Sequence, residues 1–144
     1  MDTVTTYRPI NLAQKFSLVS EKWAPKVIAE LNDYQFKIAR IEGDFVWHDH
    51  PETDEAFIVV EGELRIDFRD GSVLLTAGEM FVVPKGVEHK PYAANEVKLM
   101  LIEPRGVLNT GNAGGERTAA TTTGSEAGCS LDRAIKKAPS ERSL

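Results

Sequence analysis

Between residues 26 and 103 the chain breaks into segments too short for helices, each ended by turn-forming residues. The clearest segment alternates Leu64, Ile66 and Phe68 with Arg65, Asp67 and Arg69. Successive side chains on a strand point to opposite faces, so this pattern is a half-buried strand. Asp70-Gly71 follows, a strong hairpin signal, and leads into Val73-Leu74-Leu75. The rest of the span has the same rhythm. Val27-Ile28-Ala29 runs to a turn at Asn32-Asp33, and Phe36 to Ile41 runs to Glu42-Gly43-Asp44. Further strands are expected at Phe45–His50, Glu55–Val60, Met80–Val83, Glu88–Ala93 and Val97–Ile102, with turns at Glu61-Gly62, Ala77-Gly78 and Pro84-Lys85-Gly86. Even spacing without intervening helices predicts an all-β domain, either a closed barrel or a two-sheet sandwich.

The flanks differ. In residues 1–25, Leu12, Phe16 and Val19 fall at helical spacing, which predicts a short helical turn in a segment that covers the barrel. Pro25 argues against a helix running through Trp23 and Ala24. Residues 110–144 are rich in Gly, Thr and Ala and lack aromatic residues. Such a segment buries too little apolar surface to offset its ordering entropy, so a mobile tail is expected, with a barrel over 26–109. Leu131 and Ile135 could share a brief helical face, and Cys129 reads as an idle thiol.

With 144 residues, one domain with one core is the natural size. The net charge of −5 comes without a basic stripe, which argues against a nucleic-acid partner. No apolar run is long enough to span a bilayer, and Met1-Asp2-Thr3-Val4-Thr5 has no basic head or apolar stretch of a secretory signal. A single cysteine fits a reducing compartment, so the expected location is cytoplasmic.

All three histidines of the chain belong to one pattern: His48-Asp49-His50, then Glu55, and much later His89. On a strand, His48 and His50 share a face. Two adjacent imidazoles, a carboxylate and a third imidazole make a mixed nitrogen–oxygen site suited to a divalent transition metal.

Gly43-(x4)-His48-x-His50-(x4)-Glu55-(x6)-Gly62 resembles the first signature motif of the cupin superfamily, and Gly78-(x5)-Pro84-x-Gly86-(x2)-His89 resembles the second. Two departures stand out. One residue fewer separates Gly43 from His48, and Ala93 replaces the usual closing Asn. The resemblance implies a jelly-roll barrel in which His48, His50, Glu55 and His89 hold one metal. Fe, Mn, Ni, Co and Zn all tolerate that donor set. It is similar to small stand-alone cupins of the mannose-6-phosphate isomerase-like type, and such barrels commonly pair as homodimers.

Neighbouring residues carry weaker expectations. By parity Val46 shares the His48 face, while Phe45 and Trp47 lie opposite, with Trp47 in a packing or dimer contact. Asp54 should face away from the ligands, Glu52 should be solvated, and Tyr92 should lie outside the pocket. Lys37, Arg40, Lys85 and Lys90 are the only candidates to hold an anionic substrate, and solvated side chains are the safer reading for Lys37 and Arg40.

Three functions follow. The first is a small-molecule metalloenzyme of oxygenase or lyase type, with Glu55, a bound water or a tyrosine moving protons. The second is a metal-dependent isomerase of a sugar or keto acid. The third is a non-catalytic ligand- or metal-binding module. Cupin lyases acting on dimethylsulfoniopropionate carry a tyrosine where Phe57 stands here, so that activity is disfavoured.

Overall fold

The computed structural model describes residues 6–111 and 122–123. Its elements are helix α1 (Leu12–Ser17) and strands β1 (Lys26–Leu31), β2 (Tyr34–Asp44), β3 (Glu55–Glu61), β4 (Glu63–Phe68), β5 (Gly71–Thr76), β6 (Met80–Val83), β7 (His89–Pro104) and β8 (Thr122–Thr123). They form a jelly-roll β-barrel, as expected.

The long strand β7 organises the barrel. Its first half pairs with β4 and its second half with β3, while β2 runs antiparallel beside both halves. Strand β3 also pairs with β6, and β4 with β5. One sheet therefore passes into the other along β7 and β2. Side chains of one parity from these strands fill the interior: Ala39, Ile41, Phe57, Val59, Leu64, Ile66, Val97, Leu99 and Leu101. On the outer face of β2, Ile38 packs with Phe16, Val19 and Ile28 beneath α1. That helix starts where the Asn11 side chain accepts the Gln14 amide at 2.9 Å, an N-cap that satisfies a free donor. Phe16, fully buried, ties it to the barrel.

Two strand expectations need correction. Residues 45–50 form no regular strand; only an isolated bridge joins His48 to His89. The Phe45 amide bonds the Pro91 carbonyl at 3.0 Å, proline returns no N–H, and pairing resumes one residue out of register at His48–His89. Residues 88–93 and 97–102, expected as two strands, form the single strand β7. Strand β2 flanks both halves, and the irregularity between Ala93 and Val97 becomes a register shift opposite Ile41 and Gly43.

Thr110 is fully buried, and Gly111 packs against the Asp49 carbonyl. Thr122–Thr123 pairs in parallel with the start of β1. The mobility expected for the tail, Cys129, and the Leu131/Ile135 face lie outside the described residues. Among the described residues no helix is long and apolar enough to cross a membrane.

Candidate metal centre

His48 and His89 face one another because their backbones are bonded both ways, at 3.1 and 2.9 Å. The His50 carbonyl accepts the Gly86 amide at 2.9 Å, and the Asp54 carboxylate accepts the Lys85 amide at 2.8 Å. These two bonds fasten the Pro84-Lys85-Gly86 turn to the loop between His50 and Glu55. Glu55 then enters as the first residue of β3. The strand geometry assumed for residues 45–50 fails, yet the two imidazoles converge all the same.

One ligand atom from each of His48, His50, Glu55 and His89 lies within 4.8 Å of all the others, and all four residues are buried. His50 Nε2 stands 3.1 Å and His89 Nε2 3.4 Å from the same Glu55 oxygen, Oε1. The orientation of the rings is informative. His48 Nδ1 donates to the Val46 carbonyl at 2.9 Å, and His89 Nδ1 to the Val87 carbonyl at 2.8 Å. Those bonds place the proton on Nδ1 and leave Nε2 with a lone pair aimed inward. His50 Nε2, His89 Nε2 and Glu55 Oε1 are buried with no hydrogen-bond partner. Buried polar atoms left bare are costly, and a cation at their common point would satisfy all three together. The donor set therefore fits a divalent transition metal, and the cluster is compatible with metal binding.

The electrostatics agree. Burial, helped by the neighbouring His89, lowers the His48 pKa to about 4, which keeps that imidazole neutral. Burial alone would raise Glu55, but His50 and His89 outweigh it and hold its carboxyl well below the usual range. Behind Glu55 lies a second carboxylate, Glu103, pushed up to about 8 by burial and by the Glu55 charge, against the pull of Lys37. Lys37 Nζ meets Glu103 Oε2 at 2.8 Å, both side chains being about 1% exposed.

A cavity of about 30 Å³ opens beside His48 and Glu55. Phe45, Phe57, Leu99, Leu101 and Trp23 supply most of its apolar wall, and Asn109 is its remaining polar neighbour. Phe45 is a correction: it packs edge-on against His48 at 5.3 Å between ring centres instead of facing away. Lys37 is also corrected, being buried and not solvated. Arg40 is spent on the Phe16 and Val19 carbonyls and on Glu96, and Lys90 pairs with Asp44. Tyr92 lies under the Arg65 guanidinium, away from the cavity, and Trp47 lies under that of Arg69. Glu52 is exposed. Sequence reasoning passed over Glu103, although it lies an even number of residues from His89 on one strand. It also passed over Trp23 and Asn109, which come from irregular segments without periodicity.

The cupin domain family profile matches residues 36–103. A cupin-2 domain protein from Shewanella frigidimarina, of known structure, is 62% identical, with a TM-score of 0.66 over 67% of this chain and 94% of its own. The chain is a cupin. A Neisseria meningitidis protein of known structure is 39% identical, with a TM-score of 0.62 over 67% of this cupin and 99% of its own chain. The uncharacterised protein YdbB of Bacillus subtilis is 43% identical over 81 residues, which is 56% of this cupin and 72% of YdbB. The departures from the cupin motifs do not disturb the cluster. Ala93 is buried on the inward face of β7, and Gly43 takes φ +89° at the end of β2, a conformation glycine adopts without strain.

Proposed function

We propose that this cupin is a small-molecule metalloenzyme of oxygenase or lyase type, with a divalent metal held by His48, His50, Glu55 and His89. The observation that carries it is that His50 Nε2, His89 Nε2 and Glu55 Oε1 are buried without partners while the Nδ1 atoms of His48 and His89 are spent on backbone carbonyls. Bound there, an Fe or Mn ion would supply Lewis-acid or redox chemistry at coordination positions not taken by protein. The protein's own part is to orient and to exclude water. The Val46 and Val87 carbonyls lock two imidazoles, and the apolar wall around the cavity keeps the local dielectric low. Glu55, with its carboxyl held below the usual range, is a weak base. Proton transfer by Glu55 is therefore the least favoured part of this reading.

The cavity favours a small substrate without a phosphate. None of its lining residues is basic, and Lys37, Arg40 and Lys90 are each paired elsewhere. A phosphate group would need several free cationic donors, which counts against a phosphorylated substrate for the sugar or keto-acid isomerase reading. A non-catalytic binding module remains the second reading, favoured by how little room the cavity offers.

The test begins with elemental analysis of freshly purified protein and of His89→Ala. About one metal per chain in the first and strong loss in the second supports the centre; metal-free protein that takes up none of Fe(II), Mn(II), Co(II) or Zn(II) overturns it. Oxygen uptake by the Fe(II)-loaded protein with small diols and diketones then separates the oxygenase from the binding module.

A further inference from the structure

Trp23 belongs to no strand, yet it forms part of the wall beside the metal cluster. Its backbone sits at φ +63°, in the left-handed region, where a bulky aromatic residue is a genuine outlier. Four contacts hold it there. Its amide donates to the Arg40 carbonyl at 2.9 Å, and its indole Nε1 donates to the Glu42 carbonyl at 3.0 Å. Its own carbonyl accepts Asn109 Nδ2 at 3.3 Å. Its ring stacks on Phe45 with centres 4.6 Å apart and planes 15° from parallel. Phe45 in turn touches His48 edge-on. Strain of this kind persists only where the surroundings over-determine it, and it clusters where the side chain has work to do.

What the indole does follows from the space it leaves. The cavity is about 30 Å³. An apolar cavity that accommodates benzene has about 150 Å³. With the indole in place, the space is well short of what a ring needs. Phe57, Leu99 and Leu101 are rooted in the barrel strands, so they cannot yield without disturbing the core. Trp23 comes from the covering segment, outside the barrel strands, although it shares their core cluster.

We propose that Trp23 is the size filter of this centre: it restricts ligands at the metal to groups smaller than a ring, and its removal admits rings. The inference rests on the metal-centre reading above and names the substrate class of that site.

The test uses Co(II)-loaded protein and follows its visible d–d bands on titration with azide, imidazole and 4-phenylimidazole. The wild type is expected to respond to azide and to discriminate strongly against both imidazole and 4-phenylimidazole. Trp23→Ala should bind 4-phenylimidazole at least ~tenfold more tightly, a change well outside titration error, with azide affinity little altered. Trp23→Phe should restore much of the discrimination. If Trp23→Ala does not fold, Trp23→Leu carries the same expectation in smaller degree. An unchanged preference for azide over the azoles in a variant with intact Co(II) bands overturns the filter alone. A wild type that shows no Co(II) bands overturns the metal centre and the filter together.

Discussion

At His48 and His89, two backbone carbonyls decide which imidazole nitrogen is free, and that choice turns buried histidines into a donor set. The same logic makes Gly111 important. A Cβ there would collide with the Asp49 carbonyl oxygen and press on His50 Nδ1, at φ +55°. Gly111→Ala should cost about 1–3 kcal/mol of stability, the usual size of a forced backbone strain. It should also weaken metal binding, as checked by denaturant unfolding and chelator competition. Glu103 gives a pH signature. Its folded pKa of about 8 lies above the ordinary 4.5, so its contribution to stability is complete below 4.5 and gone above 8. Between pH 6.5 and 8, above the range in which His48 titrates, chelator-treated protein should lose stability as pH rises. Glu103→Gln should flatten that slope, as read from denaturation midpoints at the two pH values.

At the scale of elements, β2 separates two packing jobs. Its inner parity lines the barrel beside the cluster, and its outer parity receives α1 through Ile38. Phe16→Ala should therefore lower stability by about 3–5 kcal/mol, as for other buried phenylalanines. Metal stoichiometry should hold, because no ligand touches that face; urea unfolding and elemental analysis check the two halves of this prediction. The strands with alternating side chains were legible because a half-buried strand must alternate, and Leu64 to Phe68 obeys. The segment 45–50 has the pattern of a strand, while the missing N–H of Pro91 and the register shift before His48–His89 depend on a partner far along the chain.

For the whole molecule, the outer face of β3, β6 and β7 is the open question. Ala56 is paired with Val82 and Ile102, and Ile58 with Met80 and Met100, giving a continuous apolar strip. Met80 and Val82 are 55% and 45% exposed. Strand β6 pairs with β3 alone among the described residues, so it is a short, uncharged edge. We expect a second copy to cover this strip about a two-fold axis, which is self-complementary by construction. Light scattering after size exclusion should give a dimer, and Met80→Glu with Val82→Glu should shift it to monomer. A monomeric wild type at micromolar concentration would remove this expectation.

The amino-acid sequence by itself determined the strand rhythm and the identity of the four clustered donors. Alternation, turn chemistry and rare histidines are local signals that need no knowledge of what packs against them. The tertiary structure alone decided how those donors are tuned and enclosed. The buried Lys37–Glu103 pair behind Glu55, the Phe45 ring against His48, and Trp23 closing the cavity all join residues far apart in the chain. Burial and left-handed backbone at such positions arise only when distant segments meet, and no pattern along the chain encodes that meeting locally.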